Sequence, residues 1–82
     1  PTVNITVDGK TLNLPSTPIR CTNANGLTDA TRYQIYAPLT DKSVIKVTPS
    51  HPSVQFEVSP IVEDRATVKC TYNGLTKTYL IN

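Results

Sequence analysis

The chain has 82 residues and a mass of 9.0 kDa, which is enough for one small domain over residues 1–82. Charged residues make up 17% of the chain, the net charge is +2, and no two basic residues are adjacent, so neither charge-driven disorder nor a nucleic-acid partner is expected. No window of about eighteen consecutive apolar residues occurs, which excludes a transmembrane helix, and we expect no membrane partner.

The amino-terminal residues predict a β-hairpin. Residues 3–7 alternate between apolar and polar side chains, and Asp8-Gly9 is typical of a two-residue hairpin turn. Residues 10–14 resume the alternation, and Pro15 ends it.

The middle of the chain predicts more short strands between turns and prolines. The segments with this pattern are residues 19–21, 32–37, 43–48 and 53–58, and only residues 27–31 could form a helical turn. In the last strand we expect Val54, Phe56 and Val58 to point into the core, with Gln55 and Glu57 facing solvent.

The strongest local pattern lies at the carboxyl-terminal end. Residues 66–72 and 75–81 alternate around Asn73-Gly74, which favours a type I′ turn and fixes the register. The predicted pairs are Tyr72 with Leu75, Cys70 with Lys77, Val68 with Tyr79 and Ala66 with Ile81. Apolar side chains then share one face, from which Lys77 extends to solvent. The opposite face carries a candidate interaction surface made of Lys69, Thr71, Thr76 and Thr78.

About seven short strands at this spacing predict an all-β fold, an antiparallel β-sandwich or small barrel. A parallel α/β fold is excluded because no crossover helix of sufficient length is present.

The last hairpin resembles that of bacterial immunoglobulin-like domains, in which a G-x-A-T-V strand leads into a turn such as Y-x-G-K. Residues 64–74 and 76–81 carry the resemblance, and residues 43–47 and 51–54 are similar to the family's middle strands. The family's frequent tryptophan is missing, and Asp64 replaces its usual glycine. The resemblance implies an immunoglobulin-like β-sandwich with a non-enzymatic role, as in phage virion proteins and bacterial surface proteins.

The two cysteines, Cys21 and Cys70, leave two alternatives open. A disulfide between them would stabilise the fold by roughly 4 kcal/mol in the chain-entropy model, whereas two buried thiols would act as small apolar residues. Cys70, Asp64 and Ala66 are also similar to the D-x-A-x-Y-x-C strand of true immunoglobulin domains, but Val68 replaces its tyrosine.

Candidate catalytic and metal-binding residues are few. Pro1 could act as an amino-terminal base, as in tautomerases, but the required amphipathic helix is not predicted. His51, the only histidine, lies between Ser50 and Pro52 in a predicted loop. The acidic pair Glu63-Asp64 is more typical of a solvated turn than of a calcium site. We therefore expect no enzyme activity, no cofactor and no metal.

These observations predict a structural or binding protein. A proline at position 1 fits removal of an initiator methionine, which would make the chain a free-standing protein. On the resemblance, we expect a phage capsid decoration protein on the virion surface, bound to the major capsid protein or another large assembly. The alternatives are an extracellular spacer or adhesion repeat of a bacterial surface protein and, less favoured, a carbohydrate-binding module. Besides the threonine-bearing face, the strand near residues 2–7 is a candidate edge for strand addition.

Overall fold

The computed structural model describes residues 2–16 and 32–82. These residues form strands and turns and contain no helix. The seven strands are β1 (Val3–Val7), β2 (Lys10–Thr11), β3 (Arg32–Ile35), β4 (Ile45–Pro49), β5 (Gln55–Val58), β6 (Ala66–Tyr72) and β7 (Leu75–Ile81).

The described strands form two sheets that share one apolar core. One sheet has the order β2-β1-β4, and the other has the order β3-β7-β6-β5. Ile5 of β1, Val68 of β6 and Ile81 of β7 are the most completely buried large side chains, and they belong to the same core cluster. Because both sheets bury one face against the other, the all-β sandwich predicted from the sequence is confirmed.

The carboxyl-terminal hairpin has the register that the sequence predicts. All four predicted pairs are observed, from Tyr72–Leu75 next to the turn to Ala66–Ile81 at the far end. Asn73 and Gly74 have φ angles of 51° and 76°, as a type I′ turn requires, and Lys77 is exposed. Local turn chemistry therefore sets the pairing of the two longest strands.

One strand pair departs from the antiparallel arrangement. β3 lies parallel to β7, with Tyr33 opposite Tyr79 and Ile35 opposite Ile81. The chain between them passes through β4 of the other sheet, then β5 and β6, so the long connection that a parallel pair requires is supplied by strands.

Several strand predictions need correction. The strand expected over residues 10–14 has only the two residues of β2, and the one over 32–37 ends at Ile35. Pro49 is the last residue of β4, opposite Val3, and does not lie outside the strand. A further correction concerns β1, which pairs with β2 on one side and β4 on the other and is therefore not an open edge.

The strand β5 is less buried than its alternation predicts. Val54 is buried, but Phe56 is 45% exposed and Val58 is 38% exposed. Both lie on the inner face, opposite the buried Cys70 and Val68. Since β5 is the end strand of the wider, four-stranded sheet, these side chains lie where the three-stranded sheet does not cover them.

Some predictions fall outside the described residues. These are the strand at residues 19–21, the helical turn at 27–31, Cys21 and Pro1. Within residues 2–16 and 32–82, no helix is long and apolar enough to span a membrane.

Candidate interaction surface

The candidate interaction surface is the outer face of the four-stranded sheet, which we call the threonine face. It consists of the side chains that point away from the core on neighbouring strands. The members with a predicted role are Lys69 and Thr71 on β6 and Thr76 and Thr78 on β7. Thr71 lies opposite Thr76 and Lys69 lies opposite Thr78, so the structure brings all four predicted residues together.

The neighbouring strands extend the threonine face in both directions. On β5, Gln55 lies opposite Thr71 and Glu57 lies opposite Lys69. On β3, Arg32 is paired with Thr78 and Gln34 with Leu80. The sequence alone does not assign Gln55, Glu57, Arg32 or Gln34 to this surface, because the order of strands in a sheet depends on contacts distant in sequence. The alternation of each strand does predict that these residues point outward.

Two sets of hydrogen bonds order side chains on the threonine face. The hydroxyl groups of Thr71 and Thr76 are hydrogen-bonded at 2.9 Å across β6 and β7. At the other end, the Gln34 side-chain amide donates to the Leu80 carbonyl at 3.2 Å and to the Asn82 side-chain oxygen at 2.6 Å. Because β-branched side chains are restricted at χ1, these threonines are already ordered before a partner binds.

A second feature is a cavity of about 590 Å³ between the two sheets, near the β6–β7 turn. Its wall includes apolar side chains from both sheets, among them Val3, Leu75 and Tyr79, and its polar lining includes Lys77. The Lys77 ammonium group lies 5.8 Å from the centre of the Tyr33 ring, within the range of a cation–π interaction. The volume is in the range of small-ligand pockets.

Cys70 also lines this cavity; it is buried and has no disulfide partner within residues 2–16 and 32–82. Burial raises its pKa, which disfavours the thiolate, the reactive form of cysteine. The pKa of Tyr79 is raised by burial and by the neighbouring Cys70 and Tyr33, and the Tyr79 ring stacks on Tyr33 with centroids 5.2 Å apart. Cys21 lies outside the described residues, so its pairing with Cys70 stays a prediction.

The other side chains considered for catalysis or metal binding, those of His51, Glu63 and Asp64, lie in turns. His51 is exposed, and its Nδ1 accepts a hydrogen bond of 3.0 Å from the Ser53 amide within the turn. Glu63 and Asp64 form a two-residue turn between Val62 and Arg65, with φ angles of 52° and 59°. Among residues 2–16 and 32–82, no group of three or more His, Cys, Asp or Glu side chains could hold a metal ion.

Comparisons with protein-family models, with curated proteins and with solved structures found no match to this chain. The resemblance to bacterial immunoglobulin-like domains therefore remains a prediction from the residues that carry it.

Proposed function

We propose that this chain is a non-enzymatic structural protein that decorates an assembled phage capsid on the virion surface. It binds the major capsid protein, or another large protein assembly, through the threonine face. The proposal rests on the ordered polar rows of that face and on the resemblance of the last hairpin to domains found in virion proteins.

The observation that carries the proposal is the hydrogen-bonded pair Thr71–Thr76, which continues as a polar row into Gln55 on the neighbouring strand. Hydroxyl groups both donate and accept hydrogen bonds, so this row can pair with backbone and side-chain groups of a protein surface. Little conformational entropy is lost on binding, because the sheet and the χ1 preference of threonine fix the groups in advance.

Quantitative mass spectrometry of purified virions from the natural source tests the proposal. We expect many copies of the chain per particle, in a fixed ratio to the major capsid protein. A chain absent from purified particles and enriched in the cell-surface fraction would overturn the capsid assignment and support the spacer or adhesion repeat.

A carbohydrate-binding module would need exposed aromatic side chains that lie together on one face. Tyr36 is 84% exposed just after β3, and Phe56 is 45% exposed on β5. These strands form opposite edges of the four-stranded sheet, so the two rings do not make one sugar-stacking platform. The geometry therefore favours a protein partner.

A further inference from the structure

The outer edge of β5 differs from the other sheet edges in the described structure. β2 has only two residues, one of them Lys10, and β4 contains Lys46 and Pro49. β3 carries Arg32 at its start. Lysine, proline and short strands are the usual means by which an edge avoids pairing with another chain. β5 is also short and carries one charged residue, Glu57, but it has neither lysine nor proline, and Phe56 and Val58 leave apolar surface exposed on it.

The backbone pattern shows which groups of β5 face the edge that is unpaired within the described residues. The Ser59 amide donates to the Thr67 carbonyl at 2.9 Å, so this pair is hydrogen-bonded. In an antiparallel ladder such pairs alternate. Glu57 and Gln55 are therefore the residues of β5 that bond to β6, and the amide and carbonyl groups of Phe56 and Val58 point outward.

The β6–β7 hairpin supports the same assignment independently. A two-residue turn makes Tyr72–Leu75 a hydrogen-bonded pair, so Cys70 and Val68 direct their backbone groups to β7. They cannot also bond to Phe56 and Val58, which lie opposite them on β5.

We propose that β5 pairs antiparallel with β5 of a second copy of this chain, around a two-fold axis at Phe56. The amide and carbonyl groups of Phe56 then exchange two hydrogen bonds with those of Phe56 of the second copy. The Val58 amide of each copy donates to the Val54 carbonyl of the other. The two four-stranded sheets become one continuous sheet of eight strands.

This register is also favoured by the side chains. The exposed Phe56 rings lie side by side on the inner face, and Val58 lies next to Val54 of the other copy. On the outer face, Glu57 lies opposite Gln55 of the other copy, where the amide can donate to the carboxylate. An axis at Glu57 would place two carboxylates opposite each other. An axis at Val58 would place Pro60, which has no amide hydrogen, opposite Phe56.

Sedimentation velocity of the whole chain over a range of concentrations tests the proposal. We expect the mass to rise from 9.0 kDa towards a dimer, with a dissociation constant in the micromolar range, because so short an interface buries less than the roughly 1,200 Å² of a standard complex. Phe56→Lys should remain monomeric because it places two ammonium groups at the axis. The matched control, Tyr36→Lys, replaces an exposed aromatic residue away from β5 and should dimerise as the unmodified chain does.

A second variant tests the register. Gln55→Lys places an ammonium group opposite Glu57 of the other copy twice per dimer, so the dimer should tighten about fivefold at low salt and lose the gain at high salt. A chain that stays monomeric at every concentration, a Phe56→Lys variant that still dimerises, or an unchanged affinity for Gln55→Lys would overturn the proposal. None of these results depends on capsid binding.

Discussion

In the part of the chain that the structure describes, burial in the core shifts the pKa of two acid groups, those of Cys70 and Tyr79. Burial raises the pKa of Cys70 above 9.0 and that of Tyr79 above 10.0. The unfolded chain releases both protons at lower pH than the folded chain. The stability that these two protonated groups contribute is therefore fully present below their unfolded pKa values. It is lost as the pH rises through their folded pKa values.

We predict that the free energy of unfolding falls as the pH rises above about 8.5, the ordinary pKa of a cysteine thiol, and that Cys70→Val reduces this fall. Both chains are compared in a Cys21→Ser background, so that Cys70 is the only thiol in the reference. Urea denaturation across this pH range measures the effect. Equal pH dependence with and without the Cys70 thiol would contradict the assignment.

At the scale of the elements, turns decide much of the fold. Among residues 2–16 and 32–82, three two-residue turns have positive φ at both residues, and two of them contain glycine: Asp8-Gly9 and Asn73-Gly74. The third, Glu63-Asp64, leads from β5 to β6 without glycine. Asp64 occupies the position where the bacterial immunoglobulin-like pattern has glycine, and its φ of 59° explains why glycine suits that position.

We predict that the double variant Glu63→Asn, Asp64→Gly stabilises the chain by about 1 kcal/mol, because Asn-Gly adopts this turn with less strain. Urea denaturation measures the change. Gly74→Ala is the opposite control: a Cβ there would meet no atom within 4 Å, so its expected cost of about 1 kcal/mol comes from backbone strain alone. A double variant no more stable than the original chain would contradict the strain argument.

The same elements show what the sequence could predict. The register of β6 and β7 follows from adjacent residues, so it was predictable, as was the position of Thr71 beside Thr76. The parallel pairing of β3 with β7 joins residues 46 positions apart, and no local pattern specifies it. Alternation also placed Phe56 on the inner face correctly, but it carries no information on how far the opposite sheet extends.

At the scale of the whole molecule, the two sheets differ in what they present to a partner. The four-stranded sheet presents the threonine face, with its ordered hydroxyl pair. On β4 of the three-stranded sheet, Thr48 is an exposed strand residue of the same type, opposite Asn4. Thr76→Arg and Thr48→Arg therefore make the same chemical change on opposite faces of the molecule.

The most direct test that the threonine face is the binding surface is to measure the affinity of these two variants for virions assembled without the chain. If the threonine face is the binding surface, Thr76→Arg weakens binding to these virions at least about tenfold, equivalent to 1.4 kcal/mol. Thr48→Arg then binds them as tightly as the unmodified chain does. Circular dichroism confirms that both variants fold. Equal binding by the three chains, or a selective loss with Thr48→Arg, would contradict the assignment of the threonine face as the binding surface.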